Sequence, residues 1–265
     1  AVPPPPPPPL PARRLDDIGP EEQACLDAAT ELYHNRLLSD TAAGGPMAYV
    51  TWRGLDPATL ATRRVGYAAG DELADFLRWR RLPLAAARRA GLLGRGRREY
   101  FAKRIVVPER RGRHTAWLVG RSLAPATSGP RYLGLPGRKP LMGWDAARQS
   151  RWVVLAEGVF DWLTLCVWGL PALSLVGTHA SGEMLEALSR FERIVIAFDR
   201  DEAGVEAAQT LACRLPGAVV LDLPALDGVK DIADLALRPD GRARFFTALA
   251  GMGVGDGAGA LNRAA

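Results

Sequence analysis

The chain has 265 residues, of which 48% are hydrophobic, and a formal net charge of +5, so it can form a core and has room for two modest domains. It holds no run of ~18 apolar residues, which excludes a membrane-spanning helix, and no charged-then-apolar leader, which makes the cytoplasm the expected location. Cys25, Cys166 and Cys213 are too dispersed for a zinc knuckle or a disulfide framework, and each is expected as a small buried residue.

The charge is unevenly spread. Residues 1–60 carry −4, residues 61–150 carry +14 and residues 151–265 carry −5. A strongly basic middle beside an acidic end suits a polyanion laid across a site that holds cations.

In chain order, residues 1–19 are a Pro-rich linker built on seven consecutive prolines. Such a run is an extended polyproline segment with no core, and it suggests a join to something upstream. Pro20 to Leu38 has the spacing of an amphipathic helix, with Pro20 suited to the first turn and Glu21 and Glu22 to its positive end. Met47 to Arg53, A-Y-V-T-W-R inside it, begins another unit, and Pro57 to Arg63 reads as a short helix. Val65-Gly66-Tyr67 reads as a strand or turn. Asp71 to Leu82, with Arg78, Arg80 and Arg81, and Leu84 to Ala90 read as helices. Residues 101–108 and 117–121 read as strands, separated by a basic turn from Glu109 to His114. P-R-Y-L-G-L-P-G follows at 130–137, then Arg138 and Lys139. Phe101 and Trp117 are expected in the core, whereas Tyr132 suits either the core or base stacking.

From Trp152 onward short apolar runs alternate with helical patterns. Val153–Ala156, Ala172–Val176, Ile194–Phe198 and Ala218–Leu223 read as strands of a parallel sheet. Ligands of such sheets sit outside the carboxyl ends of the strands, which is where Glu157, Asp199 and Asp201 fall. Residues two apart in extended chain leave on the same side, so Asp199 and Asp201 should point together, with Arg200 away. Carboxylates gathered without a counter-charge repel one another. A hard divalent ion with oxygen ligands relieves that repulsion. Gly177-Thr178 precedes His179, which reads most simply as an exposed loop residue. Asp231 to Leu237 and Arg242 to Leu249 read as the last helices, and the Gly-rich tail after Ala250 is expected to be disordered.

The words E-G-V-F-D, G-T, D-R-D-E-A-G and K-D-I-A-D resemble the Toprim domain, most closely as it occurs in bacterial DnaG-type primases. A-Y-V-T-W-R-G-L, R-R-V-G-Y-A, F-A-K-R-I-V-V-P and P-R-Y-L-G also resemble the earlier part of that catalytic core. The resemblance implies an α/β chain in which a Toprim (Rossmann-like) parallel sheet with helices, 151–240, follows a basic mixed α/β lobe, 20–150. A helical end and Gly-rich tail would fill 241–265, and template and growing strand would lie in a groove between the lobes. It implies a DNA primase-like nucleotidyltransferase that makes short RNA primers on single-stranded DNA from nucleoside triphosphates, with Mg2+ or Mn2+. Glu157, Asp199 and Asp201 would be catalytic. Glu157, Asp161, Asp199, Asp201 and Asp231 would hold metal, with Asp234 one residue off the family spacing. Lys103, Arg104, Arg121, Arg131 and Lys139 would meet nucleic acid or nucleotide. Arg131 stands where the family has lysine and Gly134 where it has asparagine. The family's zinc module and helicase are expected as partners encoded upstream or on another chain.

Other readings remain open on the residues themselves. One is a Rossmann-like sheet with ordinary acidic loop ends. A second is a Toprim nuclease, or a topoisomerase-like cleaver, for which no nucleophilic tyrosine domain is evident. A third is a non-catalytic nucleic-acid-binding paralogue of a mobile element or defence system.

Overall fold

A computed structural model describes residues 18–94, 97–124 and 129–252. The Pro-rich run before residue 18 and the Gly-rich tail from residue 253 lie outside the described residues. The elements run α1 (Pro20–Leu38), α2 (Pro46–Trp52), α3 (Pro57–Arg63), β1 (Gly66–Ala68), α4 (Leu73–Trp79), α5 (Leu84–Arg89), β2 (Arg104–Arg111), β3 (His114–Ser122), β4 (Tyr132–Gly134) and α6 (Trp144–Ala147). They continue β5 (Trp152–Ala156), α7 (Val159–Val167), β6 (Ala172–Ser174), α8 (Gly182–Leu188), β7 (Arg193–Ala197), α9 (Glu202–Ala212), β8 (Ala218–Val220), α10 (Ile232–Ala236) and α11 (Gly241–Gly251). They divide into two compact units.

The first unit takes residues up to 39 and residues 65–140. Its sheet is antiparallel, in the order β1-β2-β3-β4. Strands β2 and β3 run straight through most of the basic segment expected as a turn, pairing Arg110 with Thr115 and Arg111 with His114. The turn shrinks to Gly112 and Arg113, because Gly112 supplies the positive φ of 58° that a tight hairpin needs. A bulge at Glu109/Arg110 absorbs the odd residue. Helix α1 lies on this sheet, where Tyr33 sits over Gly66 so closely that a Cβ there would overlap its backbone. Thr30 and Thr115 join their hydroxyls at 2.9 Å. Phe101 and Trp117 are core residues, and the Trp117 indole N–H donates to the Leu135 carbonyl at 3.1 Å. Helix α4 has no cap of its own at Glu72. Instead the buried Glu99 carboxylate accepts the N–H groups of Glu72 and Leu73 at 2.8 and 2.7 Å, satisfying donors that a helix start leaves orphaned.

The second unit takes residues 40–64 and those from 141 onward. Helices α2 and α3, read from sequence as part of the basic lobe, thus pack here. Tyr49 meets Phe160 edge-on with ring centroids 6.0 Å apart, and the Arg63 guanidinium covers Trp162 at 5.3 Å. The sheet is parallel, in the order β6-β5-β7-β8. Its apolar strands are buried on both faces: Val153, Leu155, Leu173, Ile194 and Ile196 pack with Met184, Leu188, Phe191 and Leu211, and the alternate residues Val154, Ala156, Val195 and Ala197 are equally buried. Each fully buried Leu, Ile or Val contributes about 1.5–3 kcal/mol. Helices connect successive strands, and the connection from β6 to β7 passes over β5. The strand order therefore reverses between β5 and β7, the switch point where open α/β sheets bind ligands. Among the described residues no helix is long and apolar enough to cross a membrane. Cys25 is buried as expected, but Cys166 is half-buried and Cys213 is exposed, since it is the C-cap of α9, beyond the last buried residue of that helix, Leu211.

Candidate metal centre

Ala156 of β5 and Ala197 of β7 stand side by side in the sheet. Glu157 and Asp199 therefore leave the carboxyl ends of adjacent strands, at the switch point. Two more acidic groups arrive from other elements. Asp161 stands in the first turn of α7, and Asp231 precedes α10 after β8. One carboxylate oxygen from each of Asp161, Asp199 and Asp231 lies within 4.8 Å of the others. That is a spacing from which one cation could take three oxygen ligands.

Each acid is fixed by the backbone around it. The Asp161 carboxylate accepts the Ala233 N–H at 2.9 Å, tying α7 to the start of α10. The Asp231 carboxylate accepts the Asp234 N–H at 2.6 Å as the N-cap of α10. The motif glycines have steric reasons. A Cβ on Gly158 would overlap the Asp161 carboxylate, and one on Gly204 would overlap the Asp199 carbonyl. Ser174, fully buried, donates its hydroxyl to the Glu157 carbonyl at 2.9 Å and accepts the Val176 N–H at 3.0 Å. The loop after β6 is thereby locked onto the end of β5, with Val176 at φ 51°.

The electrostatics are those of a site short of positive charge. Burial, then Asp161, Glu157, Asp231 and Asp201, push Asp199 up to about 8. Asp161 is also held well above the carboxylate range, by burial first and then by Asp231. Burial, followed by Asp201, raises Glu157, although the Asp199 backbone N–H partly offsets this. The second Glu157 oxygen, Oε2, is buried with no hydrogen-bond partner. Three carboxyls driven toward their protonated forms and one orphaned buried oxygen make a donor set that a divalent cation would stabilise. These residues fit such an ion.

Asp201 stands slightly apart. It caps α9, accepting the Gly204 N–H at 2.8 Å, and its charge is felt most at Glu157. It is not one of the tight trio, whose third member is Asp161. Side-chain direction in an extended Asp-Arg-Asp segment could not show that a helix would claim the second carboxylate. Arg200 is exposed, as expected, and its N–H bonds the Lys230 carbonyl at 2.8 Å.

Sequence reasoning passed over Arg53. It is buried, donates to the Tyr49 hydroxyl at 3.2 Å, stacks over Trp52 at 4.8 Å and reaches Asp234 at 3.5 Å. Burial opposes its charge, but Tyr49 and then Asp231 and Asp234 hold the guanidinium protonated more firmly than usual. The signal available was R-G-L itself, an arginine bound to a turn glycine. Asp234, noted as one residue out of register, is spent on Arg53.

The five basic residues expected to meet nucleic acid all belong to the first unit, and they differ in freedom. Arg104 is buried, and its guanidinium donates to the carbonyls of Pro130 at 2.9 Å and Arg131 at 3.2 Å. Burial lowers its pKa. Arg121 is buried against Tyr132, 2.5 Å from its hydroxyl and 5.4 Å from its ring centre. Arg131 is exposed, and Lys139 is half-buried with its pKa lowered by burial. Lys103 holds a left-handed conformation, φ 60°, while its N–H bonds the Ala68 carbonyl at 2.7 Å. His179 is exposed.

Comparison with known proteins gives these observations a context. Residues 154–236 match a Toprim-like family model. The chain is 28% identical over 218 residues to a DNA primase of Listeria innocua, covering 74% of this chain and 35% of that protein. It is 30% identical over 235 residues to a DNA primase of Synechococcus elongatus, covering 78% and 33%. The chain thus spans about a third of the length of these curated relatives. The RNA polymerase domain of the Mycobacterium tuberculosis primase DnaG, solved with a double-stranded DNA oligomer bearing a 6-nucleotide overhang, superposes with a TM-score of 0.74 at 25% identity. That match covers 87% of this chain and 79% of that one.

Proposed function

We propose that this chain, which is similar to the catalytic cores of bacterial DnaG-type primases and matches a Toprim-like family model at residues 154–236, joins nucleotides on a single-stranded DNA template. In this reading it makes short RNA primers from nucleoside triphosphates. The observation that carries the reading is the gathering of Asp161, Asp199 and Asp231, with the orphaned oxygen of Glu157, at the switch point of the parallel sheet.

The reaction is attack of a strand's 3′-hydroxyl on the α-phosphate of a nucleoside triphosphate, with pyrophosphate leaving. Asp161, Asp199 and Asp231, with Glu157 and Asp201 beside them, would hold divalent cations, Mg2+ or Mn2+. Such ions supply Lewis acidity and charge neutralisation in phosphoryl transfer. The carboxylates themselves position the reacting groups and confine negative charge to one edge. Glu157 stands beside the trio rather than within it, and is suited to receive the hydroxyl's proton. Arg53 balances Asp234 and so keeps a further negative charge out of the cluster. In the first unit, Arg131, Arg121, Lys139 and Lys103 would meet phosphates, whereas Arg104 holds the 130–131 backbone in place for them.

The test is incorporation of labelled ribonucleotides on single-stranded DNA with Mg2+ or Mn2+. The wild-type chain is expected to synthesise, and a folded Asp199→Asn protein to do so at least 100-fold more slowly, on the scale of a lost charge-stabilising group. Full activity in Asp199→Asn would remove the acidic edge from the mechanism. Cleavage of DNA without added nucleotides, and no incorporation, would instead favour a nuclease.

A further inference from the structure

Among the described residues the most exposed large hydrophobic side chain is Trp79, at 74%. Tryptophan seldom stays this open on a monomer's surface without a use, because its ring buries a large apolar area when covered. Trp79 ends α4 and leans on Phe76 of the same helix, with ring centroids 5.7 Å apart and planes 35° from parallel. The helix closes through Arg81 in a left-handed conformation, φ 58°, an uncommon choice for a side chain as long as arginine.

The surroundings are guanidiniums. Arg78 and Arg97 both reach Asp75, and Arg80 pairs with Glu31 at 2.8 Å while covering the Phe76 ring at 5.8 Å. Arg81 is exposed beside them. Three guanidiniums therefore share two carboxylates and Arg81 adds a fourth positive charge, leaving positive charge in excess near an open indole.

We propose that Trp79 and this ring of arginines form a stacking platform for single-stranded nucleic acid. One base would lie on the indole, and the flanking phosphates would meet Arg78, Arg81 and Arg97. Exposed aromatics among cations are how sequence-tolerant single-strand binding is built. A duplex is a poorer occupant, because its bases are already stacked on one another and show only their edges. A protein partner is a poorer one too, because anchoring aromatics at protein interfaces sit in apolar, charge-depleted surroundings. The platform rests on the reading that this chain handles single-stranded template, and it adds a site separate from the acidic cluster.

The experiment measures the affinity of the full chain for fluorescent oligo(dT) and for a duplex of equal length, without divalent metal, in wild type, Trp79→Ala and Trp79→Phe. Trp79→Ala is expected to weaken oligo(dT) binding about tenfold and duplex binding hardly at all. Trp79→Phe should stay within about threefold of wild type, since a phenyl face still stacks. The exposure of Trp79 leaves the fold intact, which circular dichroism checks. Unchanged oligo(dT) affinity in Trp79→Ala, or equal losses for single strand and duplex, overturns the platform. A wild-type chain that incorporates no nucleotide yet shows Trp79-dependent binding would overturn the catalytic reading and leave the platform standing.

Discussion

Asp199 has four acidic neighbours and is pushed up to about 8, first by burial and then by their charges. Its folded-state pKa thus lies above the unfolded value of about 3.9, so the folded chain holds the proton more tightly. The contribution of Asp199 to the stability of the metal-free protein should accordingly be most favourable below about pH 4 and be lost as pH rises toward 8. In thermal melts in EDTA, the Tm of wild type relative to Asp199→Asn should fall from pH 4 to 8, and Mg2+ should flatten that fall by taking the proton's place; a difference that does not change with pH would contradict the raised pKa. In the same melts at pH 8, Asp199→Asn should raise the metal-free Tm, by about 2–4 °C for each kcal/mol of repulsion removed. It should also weaken the stabilisation by Mg2+. A lower metal-free Tm in this variant would mean that the carboxylate is held by contacts rather than crowded by charge.

Elements place these residues, and the test of placement lies in the glycines and arginines that join one element to the next. Helix α9 can start directly behind β7 only because Gly204 presents no Cβ to the Asp199 carbonyl. Gly204→Ala should cost about 1–3 kcal/mol by overpacking. It should also reduce Mg2+-induced stabilisation, because the atom that must move is the backbone of Asp199. Denaturant unfolding with and without Mg2+ separates the two effects, and an alanine variant with wild-type behaviour in both would show that α9 shifts freely. In the first unit, Arg104 spends its guanidinium on the carbonyls of residues 130 and 131. Arg104→Met should cost about 1–3 kcal/mol, the penalty for buried acceptors left unpaired. Arg131→Ala, at an exposed position, should leave stability unchanged. Equal stability of the two variants in urea would show that Arg104 does no structural work.

For the molecule as a whole, the basic residues would meet phosphates, and phosphates carry no sequence information. Synthesis by this 265-residue chain should therefore vary little among single-stranded templates. Binding should weaken with salt, and Arg131→Ala should flatten the log–log slope by about 0.7, one phosphate contact on a single strand. Titrations at several salt concentrations check the slope, and synthesis on templates of differing sequence checks the preference. Initiation confined to one short sequence would place template choice within this chain.

The sequence by itself determined the central strands of the parallel sheet and their exits. Val153–Ala156 and Ile194–Ala197 are continuous apolar runs, and a run buried on both faces has little alternative to a central parallel strand. Glu157 and Asp199 follow such runs directly, so local pattern sufficed to put them at the carboxyl edge. The helices Pro20–Leu38 and Pro57–Arg63 were equally legible, because proline marks a first turn and apolar spacing continues from it. The tertiary structure alone decided the company the acids keep. Asp161 is brought to Asp199 by the packing of α7 against α10, and Asp201 is drawn off to cap α9. It also decided that residues 40–64 pack with the later half, bringing Arg53 to Asp234 across 181 positions of chain. Local spacing encodes which way a side chain leaves its own element. Which carboxylates share a cation, and which arginine is spent on a carbonyl, depends on contacts between residues far apart in the chain, and no periodicity records those.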